Sequence, residues 1–225
     1  MVEQAVTRRP RSARVLIWAA GAAIAVAWFV LPVAAFHFLP PRLTGEAERL
    51  ASLLRVEAGR TVGEVGAGAG ALTVEMALRV GPEGRVYSNE LSADRRAQIR
   101  ARVERAGLAN VVIIEGRPTE TGLPDGCCDA LFLRNVYHHL SDVASFNASL
   151  RRAVKPGGLV AIIDFAPGAF WHLPGSPAGA AADRAGHGVS PRVVASEVTR
   201  AGFALEREIE NWGGRLFLVL FRAAS

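Results

Sequence analysis

The sequence predicts an α/β protein in which a doubly wound, Rossmann-like sheet of seven strands follows one N-terminal transmembrane helix. Strand patterns alternate with helical patterns from residue 61 onward, and the last two strand patterns follow each other directly. A glycine-rich turn joins the first strand to its helix. We divide the chain into a basic tail (1–14), the membrane helix (15–38), a junction with a covering helix (39–60) and the α/β domain (61–225).

The membrane helix is predicted from Val15–Phe38, a stretch of 24 residues without a charge. This length exceeds the ~20 apolar residues that span a bilayer. Aromatic residues near both ends suit interfacial anchoring. A cleaved signal peptide is the alternative, with Val33-Ala34-Ala35 as the cleavage site, and a buried core helix is a third interpretation. The length favours a membrane anchor.

The charge and the cysteines exclude two kinds of site. The net charge is +5, but Lys155 is the one lysine among 26 basic residues, and no basic run is interleaved with aromatic residues. We therefore expect no nucleic-acid partner. The two cysteines, Cys127 and Cys128, are adjacent, and neighbours seldom meet disulfide geometry. We expect free thiols there, and no metal site.

The turn that organises the domain lies in Thr61–Ala71, with the sequence TVGEVGAGAGA. Its glycines at every second position (Gly66, Gly68 and Gly70) bring bare backbone close to the N-terminus of the next helix. Such a turn favours a nucleotide-like ligand, because helix N-termini bind anionic and polar groups. The same residues also fit the dinucleotide fingerprint G-x-G-x-x-A, and Glu90 has the spacing which that fingerprint requires.

The wider pattern E-x-G-x-G-x-G, which begins at Glu64, resembles motif I of class I S-adenosylmethionine (SAM)-dependent methyltransferases. L-P-D-G-x-x-D-A-L (123–131), N-V-x-H-H (135–139) and K-P-G-G (155–158) are similar to sequences of the same family. The second of these is typical of the ubiquinone and menaquinone biosynthesis methyltransferases. The resemblance covers residues 44–222 and implies SAM, not NAD, as cofactor. It also implies that the last strand is antiparallel.

The resemblance implies which residues contact SAM. They are Glu64, Gly66, Ala67, Gly68, Gly70, Glu90, Leu91, Arg117, Pro118 and Asn135. Among them, Glu90 would accept hydrogen bonds from the ribose hydroxyls. The sequence departs from the family at Arg117, where an aspartate usually accepts from the adenine amino group and arginine cannot. A backbone carbonyl or Glu120 takes that role, or adenine is held by packing.

The expected reaction is methyl transfer to a small, lipophilic acceptor. A base is needed only where the acceptor must lose a proton. The candidates are His138, His139 and Tyr137, with His187 behind them. The Gly-, Ala- and Pro-rich stretch Phe165–Gly188 predicts a substrate loop, or alternatively a disordered insertion.

Two other functions remain open from the sequence. One is an NAD(P)-dependent oxidoreductase, and the other is a membrane-tethered SAM-binding domain that has lost catalysis. Because SAM is made in the cytosol, its supply favours a cytoplasmic domain on a single-pass anchor in a bacterial inner membrane. The packed arginines before the span favour the opposite orientation, and signal cleavage would give a periplasmic or secreted protein.

Overall fold

The computed structural model of the chain describes residues 44–167 and 188–224. The predicted basic tail, the predicted membrane helix and most of the predicted substrate loop lie outside these residues. In the part that is described, no helix combines the length and the apolar character needed to cross a bilayer. Leu43–Ser225 forms one compact unit.

The described part of the chain contains five helices and seven strands. The helices are α1 (Thr44–Leu53), α2 (Ala71–Val80), α3 (Ala93–Arg105), α4 (Val143–Ala153) and α5 (Pro191–Arg200). The strands are β1 (Thr61–Val65), β2 (Arg85–Glu90), β3 (Val111–Glu115), β4 (Cys128–Arg134), β5 (Val154–Phe165), β6 (Phe203–Gly213) and β7 (Leu216–Ala223). A short 3-10 turn, Tyr137–His139, follows β4.

The strands form one sheet in the order β3-β2-β1-β4-β5-β7-β6. β7 is antiparallel to both of its neighbours, and the other pairs are parallel. The predicted seven-stranded sheet with an antiparallel last strand is therefore confirmed. The strand order reverses between β1 and β4, and ligands of open α/β sheets bind at such a switch point.

Local sequence explains where the helices begin. Ser92, Asp142 and Ser190 cap α3, α4 and α5, each accepting a hydrogen bond from the backbone N–H three residues on. Pro191 stands at the first position of α5, where its missing N–H costs nothing. Gly70 precedes α2 with φ of 77°, a conformation that glycine adopts without strain.

The hydrophobic core lies on both faces of the central strands. One cluster packs α4 and α5 on the sheet and includes Leu131, Leu133 and Leu150. The other packs α1 and α2 on the opposite face and includes Leu50 and Met76. Burial on both faces explains the nearly continuous apolar runs of β4 and β5 in the sequence. It also holds the carboxyl ends of β1 and β4 rigidly beside each other.

The structure differs from the sequence prediction at the two cysteines where β4 begins. The sulfur atoms of Cys127 and Cys128 form a disulfide, so the expectation of free thiols was wrong. A turn in which the Cys127 N–H donates to the Pro124 carbonyl interrupts the extended backbone just before β4, which lets the two side chains meet. β5 begins at Val154, because Val154 pairs with Cys128 before the register shifts.

Candidate active site

A crevice of about 600 Å³ opens at the carboxyl ends of β1, β2 and β4, beside the switch point. Ten of the thirteen residues that the sequence predicted for the site line it. These are Glu64, Gly66, Ala67, Gly68, Glu90, Leu91, Arg117, Pro118, Asn135 and His139. Arg95, Arg134 and an apolar group formed by Val136, Leu140 and Phe146 also line it, and they were not among the predicted site residues.

The glycine loop forms one wall of the crevice. The backbone N–H groups of Gly66 and Ala67 both donate to the Asn89 carbonyl at 2.9 Å, which fixes the turn against the end of β2. Gly66 has no room for a side chain, because a Cβ there would collide with Val136. Gly68 has φ of 56°, and a Cβ there would meet nothing closer than Arg95 Nη1 at 3.8 Å. A side chain at this position would therefore occupy the crevice.

Glu90 joins the end of β2 to the glycine loop. Its carboxylate accepts from the Gly68 N–H at 2.8 Å and from the Ser92 N–H at 3.0 Å, one bond on each oxygen. The residue is buried, at 6% exposure. Each carboxylate oxygen has a second lone pair. Glu90 can therefore accept hydrogen bonds from a ligand diol while it holds the loop.

Glu64 lies at the base of the crevice in a buried polar cluster. Its carboxyl group accepts from the Thr73 hydroxyl, which lies 2.9 Å from the Ser88 hydroxyl. Burial raises the pKa of Glu64 to about 8. The Thr73 hydrogen bond and the Arg134 charge lower this pKa, and the Glu90 charge raises it further. At neutral pH the Glu64 side chain of the free protein therefore holds a proton.

Arg134, at the end of β4, is held by residues far away in sequence. Its Nε donates to Glu46 Oε1 at 2.8 Å, and the Trp212 indole N–H donates to the same oxygen at 3.0 Å. The Arg49 guanidinium packs 4.3 Å above the Trp212 ring. No other hydrogen bond of the Arg134 guanidinium is present among the described residues. The rest of this fork can bind an anionic group in the crevice.

Asn135 has an unusual conformation for a residue other than glycine. Its φ is 57°, and its backbone N–H donates to the Ile163 carbonyl at 2.8 Å. Its side-chain oxygen is buried and has no hydrogen-bond partner in the described chain. An unpaired buried acceptor is costly, so this oxygen is suited to a ligand donor such as an ammonium group.

Arg117 lies at the exposed rim of the crevice. Its guanidinium pairs with Glu120, three residues on, which neutralises the charge of Arg117. Glu120 is thus engaged by Arg117, and Arg95 lies at the same rim. Gly70 does not line the crevice, because its position packs against Ile99 on α3.

The three predicted base candidates lie in different surroundings. His139 is exposed and lines the crevice. Tyr137 is fully buried, and its hydroxyl accepts from the Asn147 side-chain N–H at 2.8 Å. His138 is buried beside Asp164, and its Nδ1 lies 2.7 Å from Asp164 Oδ1. Asp164 and His138 lie 26 residues apart, and no local sequence pattern links them.

The residues present fit SAM, which carries an ammonium group, a carboxylate and a ribose diol. Asn135 can accept from the ammonium group, and the positive charge would favour the ionised form of nearby Glu64. The Arg134 fork can bind the carboxylate. Glu90 can accept from the diol. Gly68 leaves the space that the ligand needs.

The comparisons with known proteins concern the family and the fold. Residues 63–162 match the family model described as a methyltransferase domain. The demethylmenaquinone methyltransferase of Listeria welshimeri is 32% identical over 112 residues, which cover 50% of this chain and 48% of that protein. The one from Geobacillus stearothermophilus is 27% identical over 111 residues, which cover 49% and 47%. The chain spans about half the length of the curated relatives it matches.

The fold comparison extends over nearly the whole described domain. A SAM-dependent methyltransferase from Aquifex aeolicus superposes with a TM-score of 0.68 and 25% sequence identity, over 86% of this chain and 98% of that one. The family match over residues 63–162 and this superposition together support a class I SAM-dependent methyltransferase fold for the domain.

Proposed function

We propose that this protein transfers the methyl group of SAM to a small, lipophilic acceptor near a membrane. The hydrogen bond between Glu90 and Gly68 is the main support for the proposal. At one crevice it joins a carboxylate that can accept hydrogen bonds from a ligand diol to a glycine with open space where a side chain would stand. Gly68 belongs to the motif that begins at Glu64, and Glu90 ends the next strand. The crevice also holds separate groups for the charged end of the donor.

The chain contributes binding and alignment. When bound, SAM supplies a methyl group on a positively charged sulfur, so the protein need not activate the donor. The glycine loop and Glu90 fix one end of the donor, and Asn135 and Arg134 fix the other. The apolar side chains of Val136, Leu140 and Phe146 exclude water from the space beside them. Alignment of two bound reactants supplies most of the rate gain in such a reaction.

The lipophilic acceptor is supported by the relatives and by the crevice wall. The relatives are named for demethylmenaquinone, a lipid-soluble quinone. Val136, Leu140 and Phe146 form an apolar wall next to His139, and an aromatic ring system would bury against that wall. We extend the substrate class, a ring-bearing lipid-soluble molecule, to this chain.

We further propose that a membrane anchor at residues 15–38 holds the domain at a bacterial inner membrane, on the cytoplasmic side where SAM is made. The uncharged stretch of 24 residues supports the anchor. An acceptor dissolved in the bilayer would suit this arrangement.

An NAD(P)-dependent oxidoreductase is not favoured. Dinucleotide-binding sheets have the order 3-2-1-4-5-6 in one direction, whereas here the antiparallel β7 inserts between β5 and β6.

Mass spectrometry of ligands retained by the purified protein, with calorimetry for SAM and NAD(P), tests this proposal. We expect SAM to bind and NAD(P) not to bind. A methyl-transfer assay on quinols in phospholipid vesicles then tests catalysis. SAM binding without any transfer would instead indicate a domain that has lost catalysis.

A further inference from the structure

A group of hydrogen-bonded side chains connects the wall of the crevice to α1 and to β6. Arg134, which lines the crevice, donates from Nε to Glu46 Oε1 at 2.8 Å. The Trp212 indole N–H donates to the same Glu46 oxygen at 3.0 Å. Glu46 lies in the first turn of α1 and Trp212 near the end of β6, 88 and 166 positions from their partners Arg134 and Glu46. Segments that are distant in sequence therefore meet at one carboxylate.

Trp212, which holds Glu46, is itself fixed in position. The pairing of β6 with β7 shifts its register between Ile209 and Gly213, and Trp212 is buried within this shift while its neighbours on both sides are exposed. Such bulges redirect single side chains and are common beside active sites. The Arg49 guanidinium packs 4.3 Å from the centre of the Trp212 ring and donates to the Trp212 carbonyl. The indole therefore presents its N–H to Glu46 from a rigid position.

The bond to Glu46 leaves the outer part of the Arg134 guanidinium available. Neither of its Nη groups has a hydrogen-bond partner in the described part of the chain. The Arg134 side chain is 30% exposed and that of Glu46 is 13% exposed, so the pair is largely shielded from solvent. A guanidinium is planar, so a bond at Nε fixes the plane in which the two Nη groups lie. Together these groups can bind both oxygens of a carboxylate.

We infer that Glu46 is a positioning residue of the donor site, and that it holds Arg134 so that the guanidinium selects donors that carry the carboxylate of SAM. This inference rests on the proposed function. Glu46 does not line the crevice and acts through Arg134, while Trp212 acts through Glu46. A donor without the carboxylate, such as decarboxylated SAM, would leave both Nη groups of Arg134 without a partner. The site should therefore discriminate against it.

The charge of Glu46 sets this inference apart from two alternatives. Because the carboxylate offsets the charge of Arg134, Glu46 contributes orientation and adds no attraction for an anionic group. If Glu46 only competed with the SAM carboxylate for Arg134, its removal would strengthen SAM binding. If Glu46 only attached α1 to the domain, its removal would weaken all donors alike. A positioning role predicts a third result, which is a selective loss for donors that carry the carboxylate.

Calorimetry with SAM and decarboxylated SAM tests the inference, because the second ligand keeps the ammonium group, the sulfonium and the ribose diol. We expect the wild type to bind SAM about tenfold or more tightly than decarboxylated SAM, as for a lost hydrogen bond to a charged group. Arg134→Met should remove most of this preference. Glu46→Ala should reduce it by about threefold or more. Glu46→Gln keeps a carbonyl oxygen that can accept from Arg134 Nε, so it should retain most of the preference.

Leu50→Ala is the matched control on the same helix. Leu50 is fully buried in the core cluster that packs α1 on the sheet, and it takes no part in the hydrogen bonds of Arg134. This variant should lower the melting temperature and leave the preference between the two donors unchanged. The preference is a ratio of two affinities of the same protein sample, so a reduced folded fraction cancels from it. Melting temperatures of all variants identify those that are misfolded.

The outcomes separate this inference from the proposed function. Equal affinity of the wild type for the two donors would overturn the inference. So would a preference for SAM that is unchanged or increased in Glu46→Ala, or one that falls as far in Leu50→Ala or Glu46→Gln as in Glu46→Ala. All of these results leave SAM binding in place. Failure of the wild type to bind SAM would instead contradict the proposed function.

Discussion

The Glu90 carboxylate accepts a hydrogen bond from the Gly68 backbone N–H over 2.8 Å, and thereby ties the end of β2 to the glycine loop that follows β1. This bond keeps the loop open at the position where a ligand would contact backbone. It also means that Glu90 has two tasks, since the same carboxylate holds the loop and faces the crevice. Variants of the two residues should therefore affect donor binding through different causes.

We expect Gly68→Val to abolish SAM binding. The new side chain would project into the crevice, and the backbone φ of 56° at position 68 disfavours a branched residue. Gly126→Val is the matched control, because Gly126 has φ of 60° with open space around it and does not line the crevice. Both variants carry similar backbone strain, so calorimetry should show lost SAM affinity only for Gly68→Val. Unchanged affinity in a folded Gly68→Val protein would remove the assigned site.

Glu90→Ala should weaken SAM binding by roughly 1.5–3 kcal/mol, the value of a hydrogen bond to a charged group. This corresponds to about a 10- to 150-fold rise in Kd. Glu90→Gln keeps one carbonyl oxygen that can accept from the Gly68 N–H, so its loss should be smaller. Calorimetry on both variants measures the effect. A loss below about 0.3 kcal/mol in Glu90→Ala would mean that the carboxylate serves only the loop.

Glu64 should make the stability of the free protein depend on pH. Its pKa is raised from 4.5 to about 8 in the folded chain, so folding favours the protonated form. The stabilisation is complete below the unfolded pKa, near 4.5, and is lost as pH rises toward 8. The free energy of unfolding of the wild type, measured with urea, should therefore fall over this range by up to ~1.4 kcal/mol per unit of pKa shift, relative to that of Glu64→Gln. Parallel pH profiles of the two proteins would contradict the raised pKa.

Sequence patterns were sufficient for the sheet, the glycine loop and Glu90, because these depend on local spacing and on the end of a strand. They could not identify the partners of Arg134 and His138. Glu46 lies 88 residues from Arg134, and Asp164 lies 26 residues from His138. The order of the strands in the sheet decides which residues form such pairs, and no local sequence periodicity indicates them. The disulfide between Cys127 and Cys128 depends on a local turn. The general rule that neighbouring cysteines seldom meet disulfide geometry takes no account of such a turn.

The bond between Glu46 and Trp212 should make α1 part of the stable domain. Glu46→Ala would leave the Trp212 indole N–H without its acceptor. Trp212 is 2% exposed, so water cannot readily replace that acceptor. We expect a loss of about 1–3 kcal/mol in the free energy of unfolding. Glu48→Ala, an exposed position on the same helix, is the control and should change stability by less than about 0.5 kcal/mol. Equal losses of unfolding free energy in the two variants, measured with urea, would show that the bond between Glu46 and Trp212 contributes no more to stability than an exposed position does.

The predicted membrane anchor should matter for acceptors dissolved in a bilayer and not for donor binding. A protein that begins at Arg42 keeps the whole compact unit from Leu43 onward, so its SAM affinity should equal that of the full chain. Anchoring confines the domain to the surface where the acceptor resides, which raises effective concentration without any new contact. We therefore expect the shortened protein to methylate a quinol in phospholipid vesicles about tenfold or more slowly. A water-soluble naphthol serves as the control and should react equally with both proteins. Equal rates on the vesicle-borne quinol would show that residues 15–38 have no part in reaching the acceptor.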